Sequence, residues 1–327
     1  MSDTTSPVLG LDLGGTKLLG LVVRPDGDDP IASDRVPTPS GAEALLDSIS
    51  GLTRSLVERV RSEGHGEVRA VGLGAPGLVD RSGTLRFAPN LPGIVDLPLR
   101  ALLEERLGLP VVIDNDATCA GWAEHERGAS KGANHSVTLT LGTGIGAGIT
   151  VKGEVLRGAH GYAGEPGHMV IDPGGLECPC GRMGCWERYA SGTALGIQAR
   201  QAALSALAEG RRTGLLDLVD GDPTAVRGEH VTAAALAGDV TARALLVTFG
   251  RWVAMGLVNL VNVLDSEILV LGGGLIEAGD LLMDPVRAGY EELVLASAHR
   301  EPVPIVPAAL GERAGAWGAA LLAAART

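Results

Sequence analysis

The sequence predicts an α/β protein with a duplicated core, and three observations carry that prediction. Short apolar strands alternate with helical stretches along the chain. The segment Asp12–Val23 can be laid without a gap on Thr140–Val151, pairing Leu13 with Leu141, Gly14 with Gly142, Gly20 with Gly148 and Val23 with Val151. Each copy reads as strand, glycine-rich turn and returning strand, and a third glycine turn, Gly272-Gly273-Gly274, follows a later strand.

In order, Val8–Leu13 is a strand, Gly14–Lys17 its turn and Leu18–Val23 the return. The turn Pro25–Pro30 leads to a third strand. From Gly41 to Glu63, Leu45, Leu46, Ile49, Leu52, Leu56 and Val57 fall at helical spacing. Val68–Leu73 is a strand ending in the loop Gly74–Gly77, and Val111–Ile113 a short strand ending in Asp114-Asn115-Asp116, with a helix over Ala117–Arg127. Downstream, Ala242–Leu264 is a long apolar helix, Glu267–Leu271 a strand and Asp280–Leu295 a helix. Val303–Val306 is the last strand and Gly311–Ala325 a terminal helix rich in small residues.

Composition narrows the function classes. At 327 residues the chain has room for about two domains. With 45% hydrophobic but only 3% aromatic residues, the cores must be built from Val, Leu, Ile and Ala. A net charge of −12 argues against nucleic acid as a partner, because phosphate backbones reward clustered cations. Met1–Pro7 is polar rather than signal-like, and no apolar run approaches the ~20 residues of a membrane span, so no membrane partner and a cytoplasmic location are expected.

The densest chemistry lies between Glu165 and Glu187. Glu165-Pro166-Gly167-His168 precedes Cys178-Pro179-Cys180-Gly181-Arg182-Met183-Gly184-Cys185-Trp186-Glu187. Three thiolates and one imidazole, Cys178, Cys180, Cys185 and His168, complete a closed tetrahedral zinc site. A disulfide is disfavoured in a reducing compartment. Glu165 and Glu187, harder ligands, read as groups held by the metal loop beside a polar pocket. Cys119 stands apart as a small core residue, and His160 is a weaker pocket candidate.

Glycine turns expose backbone N–H groups that cradle phosphate. No Walker loop is present, and Gly142-x-Gly144-x-x-Ala147 lacks the helix that a dinucleotide fingerprint must open. Asp114-Asn115-Asp116 sits at the carboxyl end of a strand, where ligands of open α/β sheets gather. An Asp there can take a hydroxyl proton, or Asp116 can simply cap the following helix.

Together these motifs resemble the ROK family of sugar kinases and regulators, and the resemblance covers nearly the whole chain. Asp12–Lys17, Gly74–Gly77, Pro89-Asn90, Asn115-Asp116, Leu141–Gly146, Glu165–His168, Cys178–Glu187, Gly272–Gly274 and Ala314-Gly315 carry it; Trp186–Gly192 looks most like the bacterial glucokinases of that family. The resemblance implies an actin-like (ribonuclease H-like) fold of two α/β domains flanking a central cleft. It implies a smaller domain over 1–113 plus 311–327 and a larger one over 114–310 that holds the zinc loop. It also implies ATP-dependent phosphorylation of the glucose 6-hydroxyl with Asp116 as general base. Asn90, Asn115, Asp116, Glu165, His168 and Glu187 match its sugar-contacting positions. Asp12 would lie near Mg²⁺; Gly14, Gly15, Thr16, Lys17, Thr143 and Gly144 would face the phosphates of ATP, and Gly273 and Gly274 the nucleoside. His168 would serve zinc with one ring nitrogen and sugar with the other. Related kinases act on mannose, fructose, N-acetylglucosamine or N-acetylmannosamine, and regulators of the family carry an extra N-terminal DNA-binding domain, whereas the first strand here begins by Val8. The resemblance further implies a homodimer or homotetramer.

Overall fold

The computed structural model describes residues 6–326; most of the polar N-terminal stretch and Thr327 lie outside them. Two sheets repeat one plan. The first has the order β3-β2-β1-β4-β8, from β1 (Val8–Leu13), β2 (Lys17–Val23), β3 (Ala32–Pro37), β4 (Val71–Ala75) and β8 (Val111–Asn115). Between β4 and β8 a small sheet of β5 (Leu78–Val79), β6 (Leu85–Phe87) and β7 (Val95–Leu97) is inserted. The second large sheet has the order β11-β10-β9-β12-β13, from β9 (Ser136–Leu141), β10 (Ile145–Val151), β11 (Glu154–Val155), β12 (Ile268–Gly272) and β13 (Ile305–Pro307). First hairpin, then two parallel strands beyond it: the order is the same in both sheets, as the duplicated sequence requires.

The chain divides into two compact units. One takes the chain up to Asn134, Gly148–Gly164 and the stretch from Ala309 onward; the other takes His135–Ala147 and Glu165–Ala308. This division differs from the expected break after residue 113. Helix α3 (Asp116–Arg127) packs in the first unit, because Gly121 meets Gly148 with no room for a side chain: a Cβ on either would lie 2.6 Å from the other's Cα.

The first unit's core has two faces. On one, α1 (Ala42–Ser62) and α2 (Leu99–Leu107) bury Leu45, Ile49, Leu56, Leu99 and Leu103 against Leu9, Leu11, Leu13 and Leu73. On the other, the final helix α10 (Ala314–Arg326) joins α3 over Val8, Leu21 and Val23, with Cys119 fully buried among them as expected. The helix can approach because the strands offer Gly10 and Gly72, where any Cβ would strike the carbonyls of Ala316 and Ala319. Full burial of a Leu side chain contributes about 1.5–3 kcal/mol, so these mainly aliphatic layers, joined on the α10 face by Trp317, hold the unit.

In the second unit the longest helix is α8 (Val240–Leu264). It corrects the expectation that no segment approaches membrane-span length: over its 25 residues the best window has a mean hydropathy of 1.7. The helix carries Arg243 and Arg251, and it packs against α9 (Asp280–Leu293), burying Leu246, Phe249, Val253, Leu257 and Val261 in this unit. The remaining helices are the short α4 (Glu187–Ala190) and α6 (Gly214–Asp217), and α5 (Gly192–Ala208) and α7 (Gly228–Leu236), none of which the sequence periodicity marks.

Several element bounds also move. The strand expected over Val68–Leu73 is Val71–Ala75, since Gly74 and Ala75 pair with Asp114 and Asn115 instead of looping out. The last strand begins at Ile305, where pairing with Leu269 starts. Helix α9 stops at Leu293, as Val294 turns to extended backbone.

Candidate active site

In the first unit the strands bring their carboxyl ends into line. Asp12 pairs with Gly74 across β1 and β4, and Gly74 pairs with Asp114 across β4 and β8. The triplet after β8 then divides its labour. Asp114 is buried, accepts the Asn115 N–H at 3.1 Å and pairs with the Arg157 guanidinium at 2.7 Å. Asn115 is the helix cap, its Oδ1 accepting from the Thr118 N–H at 3.0 Å while its amide donates to the Gly77 carbonyl at 3.2 Å. The alternative that Asp116 caps α3 is therefore set aside. Its carboxylate, at the first helical position, accepts from the adjacent Ala117 N–H at 2.8 Å.

Both remaining acids of this group are pushed toward the neutral form. Burial raises Asp116 from 3.8 to about 6, opposed by its hydrogen bonds from Ala117 and Asn115. Asp12 is raised to about 7, first by burial, then by the charge of Asp116, with Lys17 working in the opposite sense. A carboxylate poised near neutrality beside a second one is the arrangement that acid–base chemistry uses.

The Gly14–Lys17 turn lies in the same unit. The Gly14 N–H donates to the Lys17 carbonyl at 2.9 Å, and Thr38 Oγ1 donates to the Gly14 carbonyl at 2.7 Å. Gly15 and Thr16 are exposed, and Lys17 reaches Glu312 at 2.7 Å. Asn90 sits next to Gly15, whose added Cβ would meet it at 3.6 Å. His160, by contrast, is an exposed residue of this unit beside Tyr162, whereas His168 belongs to the other unit.

The second unit assembles the cysteine cluster. A short 3₁₀ turn, Pro166–His168, presents the imidazole, and Gly167 is seated on the Ile145 carbonyl of β10, where a Cβ would come within 2.5 Å. The Cys178–Cys185 loop is knotted by Cys178 N–H to Arg182 O at 2.8 Å and Gly181 N–H to Cys178 O at 2.9 Å, the latter with Gly181 at φ 85°. The ligand atoms of His168, Cys178, Cys180 and Cys185 all lie within 4.8 Å of one another. Cys180 Sγ to Cys185 Sγ is 3.6 Å and Cys178 Sγ to His168 Nδ1 is 3.9 Å. Bond lengths of about 2.3 Å to sulfur and 2.0 Å to nitrogen give tetrahedral edges of about 3.5–3.8 Å. The donor set and its spacing fit zinc.

The residues after the last cysteine fix the position of Glu187. Trp186 is fully buried, donates its indole N–H to the Trp252 carbonyl at 2.7 Å, and lies across Gly256 of α8, where a Cβ would come within 2.0 Å of the ring. Glu187 begins α4 directly behind it. One of its oxygens stands 3.3 Å from Cys178 Sγ and 3.7 Å from His168 Nδ1. The other faces the second glycine turn, where a Cβ on Gly144 would meet it at 2.7 Å. Nδ1 being turned to the cluster, Nε2 of His168 is the ring nitrogen left for a ligand. Glu165, half-buried, starts the turn that carries His168.

A cavity of about 800 Å³ opens beside the second glycine turn, lined by Gly142, Thr143, Gly192, Thr193 and Gly274 among others. Helix α5 begins there: Ser191 caps it through the Ala194 N–H at 3.1 Å, and the Gly192 N–H donates to the Gly142 carbonyl at 2.7 Å. A helix N-terminus and a glycine turn together offer a phosphate a set of N–H donors and the positive end of a dipole. Gly273 does not line the cavity but makes it possible, since at φ 92° it passes too close to the Leu141 carbonyl for any side chain.

Sequence reasoning missed Arg157, Thr193, Arg200 and Arg227. Ser191 ahead of Gly-Thr-Ala-Leu is a legible cap signal for α5 and so for Thr193. No local pattern announces Arg157, which meets Asp114 from 43 residues away, or Arg200 and Arg227, which the cavity gathers from separate elements.

Known proteins share this architecture. Over residues 8–326 the chain matches the model of the ROK family. It is similar to a glucokinase from Streptomyces coelicolor, 42% identical over 316 residues that make up 96% of each chain. It is 33% identical to an N-acetylmannosamine kinase from Salmonella heidelberg across 96% of this chain and 97% of that one. Among solved structures, a ROK family glucokinase from Streptomyces griseus in complex with glucose and AMPPNP superposes with a TM-score of 0.86 at 38% identity, covering 97% of this chain and 99% of that one. With its duplicated sheets, glycine turns and cysteine–histidine cluster, the chain belongs to the ROK family.

Proposed function

We propose that this protein is an ATP-dependent glucokinase that transfers the γ-phosphoryl group of ATP to the 6-hydroxyl of glucose, giving glucose 6-phosphate and ADP. The observation that carries the reading is Asp116, a carboxylate raised to about 6 by burial and unencumbered by the capping role that Asn115 has taken. As base it accepts the 6-hydroxyl proton while that oxygen attacks the γ-phosphorus and the bond to ADP breaks. Asn115 brings its side-chain amide to the sugar beside Asp116. Asn90, Glu165, Glu187 and Nε2 of His168 supply the further hydrogen bonds that a polyhydroxylated ring requires.

Zinc, held by His168, Cys178, Cys180 and Cys185, is structural: it fixes the imidazole's tautomer and aim. Mg²⁺ bound with ATP would supply charge neutralisation on the nucleotide phosphates, and Asp12 would help to hold it. Gly14, Gly15, Thr16 and Lys17 face phosphate, as do Thr143 and Gly144; Gly273 and Gly274 approach the nucleoside, Gly274 from the wall of the cavity that Thr193 also lines. The reading includes a cytoplasmic enzyme that assembles as a homodimer or homotetramer, which sedimentation of the zinc-replete protein checks.

Glucose is favoured over other hexoses by the 42% identity to the Streptomyces coelicolor glucokinase, against 33% for the N-acetylmannosamine kinase. The test is ADP release from Mg-ATP with glucose, mannose, fructose, N-acetylglucosamine and N-acetylmannosamine supplied separately at matched concentrations. Glucose should give the largest kcat/KM; preference for another sugar would overturn the specificity and leave the reaction type standing.

A further inference from the structure

We propose that the second unit carries another small-molecule site, which takes a monocarboxylate with a short aliphatic body. The site is a cavity of about 620 Å³ formed by the end of α9, the turn after it and β13, and none of its lining residues borders the glycine-turn cavity. Val294, Val303 and Ile305 give it apolar walls, and its side-chain donors are Tyr290, Arg300, Arg287 and the exposed Ser297, of which the first two matter here.

The Tyr290 hydroxyl has no acceptor among the described residues, and Arg300, which donates one bond to Asp265, has donors to spare. Tyr290 is 7% exposed, and its buried hydroxyl has no hydrogen-bond partner among the described residues. A buried hydroxyl left unpaired is unfavourable, so such a group marks a missing acceptor. Arg300 has a side chain only 22% exposed, with a single long contact of 3.4 Å to Asp265, whose own side chain is 95% exposed. Burial raises the Tyr290 phenol, Arg300 opposes the rise and Asp265 adds to it, so both charges act on the hydroxyl. Arg287, also lining the cavity, is already committed: Nε and Nη2 donate to the Ile305 carbonyl at 3.2 Å and Nη1 to Asp284 at 3.3 Å.

An acceptor that bridges a phenol and a guanidinium is a carboxylate, one oxygen to each. The charge balance selects a single negative charge. Glu291 and Glu301 are exposed lining residues at the mouth, and they disfavour a dianion such as a phosphate monoester. The apolar walls select a hydrocarbon body over a sugar.

The test is calorimetric titration of the full, zinc-replete chain with 4-methylpentanoate, its amide and inorganic phosphate, each in the presence of glucose and a non-hydrolysable ATP analogue. The carboxylate should bind saturably with a Kd of about 1 mM or tighter, and the amide and phosphate at least about tenfold more weakly. Tyr290→Phe and Arg300→Gln should each weaken the carboxylate by about tenfold or more, with glucose turnover unchanged. Val303→Trp, which fills the cavity, should abolish binding and keeps the test sound should either polar variant fold poorly. No saturable binding of the carboxylate, affinity undiminished in these variants, or a preference for phosphate overturns the proposal.

Discussion

The two glycine hairpins share a backbone plan and differ in what stabilises them. In the first, Asp12 and Lys17 flank the turn; 128 positions on, Thr140 and Ile145 stand in their places, and the second turn has no charge of its own. The carbonyl of the turn's first glycine is held in both copies. Thr38 Oγ1 donates to Gly14 O, whereas the N-terminal amide of helix α5 donates to Gly142 O. One copy thus offers a ligand side-chain charge, the other a helix dipole and backbone N–H groups. Duplication supplied the cradle twice, and divergence gave ionisable groups to one copy and the metal-anchored Glu187 to the other.

Removing the charge from the first unit should cost most. Asp116→Asn is expected to lower kcat by about 10²–10⁴-fold with little change in glucose KM; a near-normal rate would remove Asp116 as base. The same variant should melt no lower than wild type at pH 8. A carboxyl raised to about 6 in the fold stabilises the protein below its ordinary 3.8, and that contribution fades as pH rises toward 6. Above 6 the ionised group is a liability that Asn lacks. Wild-type kcat/KM should correspondingly fall about tenfold per pH unit below about 6, and an acid limb at 4 would contradict the burial argument.

The second unit answers to its metal. Cys180→Ser, or prolonged chelation, should release zinc and raise glucose KM by about 10–100-fold, with zinc content read by atomic absorption; full metal occupancy at normal affinity would sink the staple. A sharper contrast comes from one methyl group in each turn. Gly144→Ala thrusts a Cβ to 2.7 Å from Glu187 and should raise glucose KM by about tenfold. Gly15→Ala meets Asn90 at an ordinary 3.6 Å and should shift KM less than about twofold. Equal effects would mean that Glu187 gives way freely. Smallest of all, Glu312→Gln deletes the exposed partner of Lys17 and should change stability by less than about 1 kcal/mol in a denaturant melt.

Much of this was legible in the chain. The hairpin repeat foretold the two matching sheets, since residues at offset 128 occupy equivalent strands. The cysteine spacing foretold the cluster because tight Gly-broken loops leave few other ways to gather three thiols. The triplet at 114–116 was only half legible: which residue caps and which stays available depends on Arg157 and Gly77, brought close only by the fold. Helices α5 and α7 escaped for a different reason. Their alanine-rich faces carry weak periodicity, and their buried sides are decided by packing against α8. The unit boundary was missed because Gly121 against Gly148 is a contact between two residues that signal nothing singly.

Helix α10 gives the molecule an order of assembly. The strand that carries Asp12 leaves the ribosome long before α10, the helix that covers the Gly10 and Gly72 face. At 5–20 residues per second, the roughly 300 residues between them take about 15–60 s to synthesise. For that interval the second unit, continuous from Glu165 to Ala308, can fold while half of the first sheet stays bare. A chain halted just short of Ala314 would hold every residue assigned to the sugar and the nucleotide, and still lack the layer that covers the strand bearing Asp12.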